Sequence, residues 1–482
     1  MTIIIIIISY VAAREVVMLI QKQPLVQWPL VRHLPALLRN CHRMNEWGTK
    51  LFADLGSGTV VLKGPLFTGL ELVLTCDPLN VEYVTKTNFP NFGKGPTFVD
   101  KFDVLGDGIF IADDQSWFLQ RKMAHSRLTS KRFQSFYAEK SREAAVGGLV
   151  PVLHHAAARG SSLDLQEVFK RFSFDATCAS IVGTNPRSLS VSFAKNEFSS
   201  AIDEITQAIF YRHLVPSFWW KAMRFLGVGW EGRGDKFFRD TALSFFAAGR
   251  DTLSSGLTWF FLLLCKTPSV EAKILEELKK VVLVDVTNTQ AKEEGDARHE
   301  EERRRRPHWR LCSSEDIKNM VYLHAALLES MRLFPPVPVE HKGVREEDVL
   351  PDGTVVKPGD SIVYSIYVMG RMKWIWGEDC MDFKPERWID EKGKLRHEPS
   401  SKYTVFNAGP RSCLGKTMAM TIMKMAAATV LLNFRLHMVE SGECGPSSSS
   451  IHSIQQVPSV VLQVKNGFTV MVTEREDSSD VL

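Results

Sequence analysis

The stretch Phe406-Asn407-Ala408-Gly409-Pro410-Arg411-Ser412-Cys413-Leu414-Gly415 sets a single cysteine in a loop of small residues. Arg411 lies two residues before Cys413, and the apolar run 418–432 that follows predicts a core helix. A cysteine that is held as a thiolate needs positive charge or a metal nearby. The simpler alternative is a buried free thiol, which is the common state of a lone cysteine. The loop alone does not decide between them, so other parts of the chain must.

A second informative stretch lies in the longest helical candidate, which runs from Lys236 to Leu264. Its middle carries Ala248-Gly249-Arg250-Asp251-Thr252. Glycine inside a helix costs ~1 kcal/mol relative to alanine, so a close neighbour is expected to need the space. Asp251 and Thr252 bring an acid and a hydroxyl together where the helix can distort. The alternative is a core helix with a solvated aspartate.

Three further patterns carry charged residues at helical or turn spacing. Trp117 and Arg121 are four residues apart, and Glu329 and Arg332 are three apart, so each pair shares one helix face. The second pair stands just before Pro335-Pro336-Val337-Pro338. The third pattern is Phe383-Lys384-Pro385-Glu386-Arg387-Trp388. Each pattern occurs by chance in unrelated proteins, so their combination and order carry the argument.

Composition excludes several classes of protein. The 482 residues are enough for a large core, and length alone would suggest about three domains. A net charge of +4 is too small to indicate a nucleic-acid partner. None of the eight cysteines forms a Cys-x-x-Cys pair, which excludes the common zinc and dithiol redox motifs. Scattered cysteines fit a reducing compartment.

The two ends of the chain and two internal segments differ in composition from the rest of the sequence. Residues 1–22, with six consecutive isoleucines from Ile3, are interpreted as an N-terminal membrane anchor, although a buried β-strand is the alternative. Residues 23–36 are interpreted as a proline-rich hinge, with a turn-rich linker as the alternative, and 476–482 as a tail. The aromatic and basic segment from Val215 to Trp230 suits a membrane interface or a core helix equally. The charge run from Gln290 to Arg310 is expected to be an exposed loop.

Taken together, the five patterns resemble the motifs of the cytochrome P-450 family, and they occur in the family's order. The resemblance implies a mainly α fold with small β-sheets, arranged as a triangular helical prism around haem. Residues 37–475 would form one catalytic domain. Family members usually carry several dozen more residues before the helix at Lys236, so the chain is expected to be shortened near 230–236, which would affect the lid of the substrate channel.

The resemblance also implies roles for individual residues. Cys413 would be the axial thiolate ligand of the iron of haem b and therefore the metal ligand. The remaining cofactor-binding residues would be Phe406, Gly409, Arg411, Gly415, Trp117, Arg121 and Lys342, the last with His341 as its alternative. Gly249, Asp251 and Thr252 would serve catalysis, and Glu329, Arg332 and Arg387 would form a buried ion network. The substrate pocket would take in Phe98, Phe102, Ile109, Phe110, Phe245, Ala248, Val337, Val339 and Val460. Val460 lies in the first strand of an expected hairpin, 457–472, with Asn466-Gly467 at its turn.

The implied function is that of a haem-thiolate monooxygenase that uses O2 and takes electrons from NADPH through a separate reductase. Residues 248–260, 367–372 and 376–379 resemble the plant group that acts on fatty acids and long alkanes, and 105–110 and 338–342 resemble its midchain alkane hydroxylases. The expected partners are the reductase, an apolar small molecule and the cytosolic face of the endoplasmic reticulum membrane, with no nucleic acid. Three alternatives are an alkaloid phenol-coupling enzyme of the same subgroup, a haem-thiolate isomerase that works without reductase, and a defective haem-binding product.

Overall fold

The computed structural model describes residues 25–66, 71–194, 197–213, 215, 217–226, 242–290, 309–439, 454–457 and 459–475. The predicted anchor, the expected shortening near 230–236, most of the charge run and the tail lie outside these residues. Within the described ranges, no helix has both the length and the apolar character needed to cross a membrane.

Helices dominate the described residues, as the sequence predicted. The longest helix carries Ala248–Thr252, and the second longest follows it directly in the chain. In chain order the helices are α1 (Leu34–Asn40), α2 (Met44–Leu55), α3 (Pro78–Glu82), α4 (Gly95–Lys101), α5 (Asp114–Leu128), α6 (Lys131–Ala144), α7 (Val150–Arg159), α8 (Leu165–Ile181), α9 (Glu197–Arg212), α10 (Ser217–Leu226), α11 (Ala242–Lys266), α12 (Pro268–Gln290), α13 (Ser314–Asn319), α14 (Val321–Leu333), α15 (Ile366–Met369), α16 (Lys373–Trp376) and α17 (Lys416–Asn433).

The strands are short and form small sheets at the edges of the helical body. They are β1 (Thr59–Lys63), β2 (Glu71–Thr75), β3 (Phe92–Gly93), β4 (Ser162–Asp164), β5 (Val339–Val344), β6 (Asp348–Val349), β7 (Val355–Val356), β8 (Ser361–Ser365), β9 (Phe434–Met438), β10 (Gln456–Val457), β11 (Gln463–Val464) and β12 (Thr469–Glu474). The largest sheet has the order β1-β2-β8-β5-β3, in which only the β2–β8 pair is parallel. A second sheet has the order β4-β12-β9, and β10–β11 and β6–β7 pair separately.

Helix α11 is the central element of the helical body, because it packs against α8 on one side and α14 on another. Its C-terminal half is buried from Leu257 to Leu264, and most of these side chains are apolar. Trp259 stacks on Phe334 at the end of α14, with ring centres 4.0 Å apart and planes 2° from parallel. Apolar burial of this extent is the main source of stability in such a body, so the positions of α11 and α14 are fixed together.

The predicted hairpin 457–472 is wrong. Asn466 and Gly467 do form a turn with φ values of 66° and 78°, but the strands on its two sides do not pair with each other. Instead β11 pairs with β10, and β12 lies between β4 and β9. The turn packs on Asp164, whose Oδ1 accepts hydrogen bonds from the N–H of Phe468 (2.8 Å) and of Gln166 (3.0 Å) at the start of α8. This long-range pairing outweighs the local turn preference.

The structure brings together the three residues of the predicted ion network, Glu329, Arg332 and Arg387. Arg332 donates from Nε and Nη2 to the two Glu329 oxygens at 2.8 Å each, and Arg387 Nε donates to Glu329 Oε1 at 3.3 Å. Trp388 Nε1 (2.8 Å) and the Lys384 N–H (3.2 Å) also donate to Glu329. Glu329 and Arg332 are 0% and 1% exposed. The network ties α14 to the segment 384–388.

We expect Glu329→Gln to lower the free energy of unfolding by ~3–5 kcal/mol, because it leaves a buried guanidinium without its counter-charge. Urea denaturation of the purified holoprotein measures this loss. The matched control is Glu143→Gln, which breaks the more exposed Lys140–Glu143 pair (2.7 Å) and should cost at most ~1 kcal/mol. An equally small loss for both variants would contradict the assignment of a stabilising role to the network.

Candidate active site

The cysteine loop is shaped by its own backbone. The N–H of Cys413 donates to the carbonyl of Phe406 at 2.7 Å, which closes the loop that holds the short turn Gly409–Arg411. Gly409 has φ +65°, and a Cβ there would collide with the carbonyl oxygen of Thr85. Glycine is therefore required at this position by both conformation and space.

The thiol of Cys413 is exposed on one side and surrounded by protein on the others. Burial raises its pKa above the ordinary value, while hydrogen bonds from the backbone N–H groups of Gly415 and Lys416 and the charges of Arg121 and Lys416 act in the opposite direction. Donors and cations directed at sulfur stabilise a thiolate once a metal takes the remaining side. This arrangement fits a thiolate ligand better than a buried inert thiol.

Cationic side chains gather beside the loop, as predicted. Trp117 is 8% exposed, and the Cζ atoms of Arg411 and Arg121 lie 4.7 Å and 5.7 Å from its ring centre. Arg121 Nη2 donates to the carbonyl of Ser412 at 2.8 Å. Arg411 donates to Asp113 and to the carbonyl of Ala112, an interaction that the sequence motifs did not indicate. Arg411 Nε is buried and has no hydrogen-bond partner among the described residues.

Lys342 belongs to the same group of cations. It is 1% exposed, and its Nζ lies 5.2 Å from the ring centre of Phe89. Burial, with the neighbouring charges of Lys94 and Arg411, lowers the pKa of Lys342 to about 7. A buried cation gains stability from an anion, and the orphaned Nε of Arg411 needs an acceptor. Together they fit a planar group that carries carboxylates.

On α11, Gly249 faces a neighbouring helix, whereas Asp251 and Thr252 face the cavity. A Cβ on Gly249 would lie 2.6 Å from Thr177 on α8, so this glycine allows two helices to approach closely and does not line the cavity. Asp251 is 2% exposed and forms an ion pair with Arg250 at 2.5 Å, and Arg250 also pairs with Asp203 at 2.9 Å. The alternative of a solvated aspartate is therefore wrong.

Asp251 and Thr252 both line a large cavity. Burial raises the pKa of Asp251 above its ordinary value, although the charge of Arg250 opposes this. Asp251 Oδ2 has no hydrogen-bond partner within the described part of the chain. Thr252 Oγ1 donates to the carbonyl of Ala248 one turn earlier. A buried carboxyl group whose pKa is raised in this way is suited to proton transfer.

The cavity measures about 1150 Å³. Most of the predicted pocket residues line it, namely Phe98, Phe102, Phe110, Ala248, Val337, Val339 and Val460. The prediction for Ile109 is not borne out, since this residue is half-buried and does not line the cavity. The side chain of Phe245 lies outside the described part of the structure. Apolar residues of α9 also line the cavity, as do seven basic residues, namely His42, Arg43, Lys63, Lys94, Lys101, His213 and His341. Sequence reasoning assigned neither group to the pocket.

Residues 28–230 and 234–463 match the sequence pattern of the cytochrome P-450 family. The chain belongs to the cytochrome P-450 family. Alkane hydroxylase MAH1 of Arabidopsis thaliana is 35% identical, with 94% of each chain covered. A noroxomaritidine synthase of Narcissus pseudonarcissus is 36% identical over 93% of this chain and 91% of its own. Cytochrome P-450 86B1 of Arabidopsis thaliana is 35% identical over 95% and 87%.

Membership confirms the expected fold and the class of enzyme. This cytochrome P-450 is a monooxygenase, an oxidoreductase that incorporates oxygen from O2, and the family implies haem as its cofactor. The mainly helical body with small sheets is the fold that the resemblance implied.

We expect Gly409→Ala to destabilise the holoprotein more than Gly393→Ala. Both glycines have positive φ (65° and 72°), which costs an alanine ~1–2 kcal/mol. Only Gly409 also meets the backbone of Thr85, whereas nothing lies within 4 Å of a Cβ on Gly393. The measurements are the urea denaturation midpoint and the haem bound per protein, and equal effects of the two variants would contradict the predicted steric role.

Proposed function

We propose that this enzyme hydroxylates long-chain aliphatic substrates, alkanes or fatty acids. The cavity carries the proposal, since it is large and reaches from Leu34 and Leu37 of α1 to Ala248 and Thr252 on α11. Its apolar lining includes Ile202, Ile205 and Ile209 of α9, in addition to the valines of the predicted pocket. A long apolar chain gains free energy by leaving water for such a space. Similarity to an alkane hydroxylase supports the same substrate class.

The cations beside the Cys413 loop would bind the carboxylates of the cofactor. Cys413 would bind the iron of haem b, and Arg121, Arg411 and Lys342 would bind its carboxylates beside Trp117. Phe406 and Gly415 would lie beside the flat ring, and Gly409 would hold the loop in shape through its close approach to Thr85. When bound, haem supplies the metal that activates O2, and a thiolate ligand favours cleavage of the O–O bond. The exposed thiol and the unpartnered Arg411 Nε are the observations that support this assignment.

The acid and hydroxyl of α11 would deliver protons from the protein. Asp251 would pass a proton from the interior toward the cavity, because burial keeps its carboxyl protonated more readily than an exposed one. Thr252 would hold a proton at its Oγ1, where the bond to the Ala248 carbonyl fixes the hydroxyl direction. Gly249 would contribute indirectly, by letting α11 lie close to α8.

Electrons would come from NADPH through a separate reductase. A basic face on α5 and α6 is the proposed docking site, because Lys122, Arg127, Lys131 and Arg132 are exposed there. Arg121 of α5 is hydrogen-bonded to Ser412, so this face lies close to the Cys413 loop. Complementary charge accelerates such encounters.

The enzyme would lie on the cytosolic face of the endoplasmic reticulum membrane, held by residues 1–22. The amphipathic helix α10 supports membrane contact, since Phe218 and Phe225 are 71% and 90% exposed and Trp219 and Leu226 are also exposed. Lys221 and Arg224 on the same helix suit the lipid headgroups.

The principal test is turnover by the holoenzyme with a reductase, NADPH and isotopically labelled O2. We expect labelled alcohol from a long-chain alkane or fatty acid, and Asp251→Asn should lower kcat by ~10²-fold while leaving the substrate-induced spectral shift intact. The control Asp54→Asn removes an exposed carboxyl on α2 and should change neither quantity.

Other results of this turnover experiment would favour one of the three alternative functions. Product from a phenolic amine but from no aliphatic compound favours alkaloid phenol coupling, and the similarity to noroxomaritidine synthase keeps this candidate in the test. Turnover without reductase favours the isomerase. Haem binding without any turnover favours a defective product.

For the docking face, we expect the double variant Arg127→Glu, Arg132→Glu to slow reductase-driven turnover by roughly tenfold at low salt, because electrostatic steering is lost. Steady-state kinetics at varied reductase concentration measures the effect, and substrate binding should not change. Lys50→Glu, at an exposed position of α2, is the control. Unaltered turnover at every reductase concentration would remove the docking proposal.

A further inference from the structure

One wall of the cavity carries a row of four rings with an imidazole at each end. His341 of β5 stacks on Phe98 of α4 with ring centres 5.4 Å apart, and Phe98 stacks on Phe102 at 4.2 Å. Phe102 meets the edge of His213 at 5.6 Å. All four residues line the cavity. Two polar rings are thus held at fixed positions on one wall of the cavity.

His341 is a polar group without a protein partner. It is 7% exposed, and neither Nδ1 nor Nε2 has a hydrogen-bond partner among the described residues. His213 differs, because its Nδ1 bonds to the carbonyl of Ile209 at 2.8 Å. A buried imidazole that lacks both partners costs free energy unless a ligand or water satisfies it. We therefore expect the molecule that occupies the cavity to carry a polar group that hydrogen-bonds to His341.

Lys101 adds a positive charge to the same wall. It is the last residue of α4, three residues after Phe98 and directly before Phe102, and it lines the cavity. Burial lowers the pKa of Lys101 to about 8, so the ammonium is still mostly charged at neutral pH. Its charge contributes to lowering the pKa of both His213 and His341, which indicates that it lies near both rings.

Neighbouring charges are paired, and that of Lys101 is not. Lys94 pairs with Glu340 at 3.4 Å, and Asp100 pairs with Lys221 at 2.6 Å. Asp103 accepts from both Arg212 and Arg224. Across the described ranges, no carboxylate lies within ion-pair distance of Lys101. Within the described residues, the wall therefore holds a lysine without an ion-pair contact beside an imidazole without a hydrogen-bond partner, which is the chemistry that recognises a carboxylate.

We propose that Lys101 and His341 form a head-group subsite that binds the carboxylate of a fatty acid. The acyl chain would run from this wall through the apolar part of the cavity toward Ala248 and Thr252. Within the proposed function, this assigns fatty acids rather than alkanes as the substrates. Lys342 does not line the cavity and lies with Arg411 near the cysteine loop, so it belongs to the cofactor site and not to this subsite.

The test compares four ligands that share one chain, namely dodecanoic acid, its methyl ester, dodecanol and dodecane. Their Kd values for the holoenzyme are measured from substrate-induced spectral shifts. We expect the acid to bind at least about tenfold more tightly than the ester, because only the acid makes charge-assisted hydrogen bonds.

Variants then locate the subsite. Lys101→Met and His341→Phe should each raise the Kd of the acid by at least about fivefold and leave that of dodecane unchanged. Lys101→Arg should restore tight binding of the acid, and the exposed control Lys50→Met should change no Kd. Haem content should stay at the wild-type value in every variant.

Three results would overturn the proposal. Equal affinity for all four ligands would remove the head-group subsite while leaving aliphatic hydroxylation in place. A loss of haem in Lys101→Met or His341→Phe would show that these groups serve the cofactor. Binding of none of the four ligands by a haem-loaded enzyme would overturn the proposed function and this inference with it.

Discussion

The structure depends on the buried ion network around Glu329. Two charged side chains are withdrawn from water there, which is unfavourable unless every lone pair and proton finds a partner. Arg332 satisfies this condition by also donating to the carbonyls of Gly370, Cys380 (2.7 Å) and Asp382 (3.1 Å). A Cβ on Gly370 would collide with the backbone carbonyl of Arg332, so glycine is required at this position. The network therefore holds α14 against the segment 370–388, in which the two helical turns Lys373–Trp376 and Pro385–Trp388 are each four residues long.

This constraint extends to the active site through packing. Helix α14 packs against both α11 and α17, so it fixes the distance between the helix that carries Asp251 and the helix that follows Cys413. The two sides of the site differ in charge. Cations gather beside Cys413, whereas α11 carries Asp251, a buried carboxyl group whose pKa is raised. Such a polarity suits a reaction in which an anionic cofactor is bound on one side and protons are delivered on the other.

Much of this arrangement could be predicted from local motifs in the sequence. The cysteine loop, the pair Trp117 and Arg121 and the helix of Glu329 depend on residues that are close in sequence, and the structure brings them together as expected. Partners far apart in sequence could not be found in this way. Asp113 accepts a bond from Arg411, 298 residues away, and Asp203 pairs with Arg250, 47 residues away. No local pattern marks either aspartate.

The wrong predictions have the same origin. Asn466-Gly467 is a strong hairpin signal, but β12 finds better partners in β4 and β9 than in β11. The close neighbour expected at Gly249 is Thr177 of α8, and its identity could not be found from the sequence because the two residues are 72 positions apart. Lys101 went unnoticed because a lysine near the end of a short helix is usually solvated. Only the fold reveals that it is half-buried on the cavity wall.

The central claim is that Cys413 binds the haem iron as a thiolate. The carbon monoxide difference spectrum of the reduced protein tests it most directly, because the position of the Soret band reports the ligand opposite carbon monoxide. The account predicts the thiolate-type band in the wild-type protein and in Cys265→Ser, and its loss in Cys413→Ser. Haem-loaded wild-type protein without that band, or a Cys413→Ser variant that keeps it, would contradict the account.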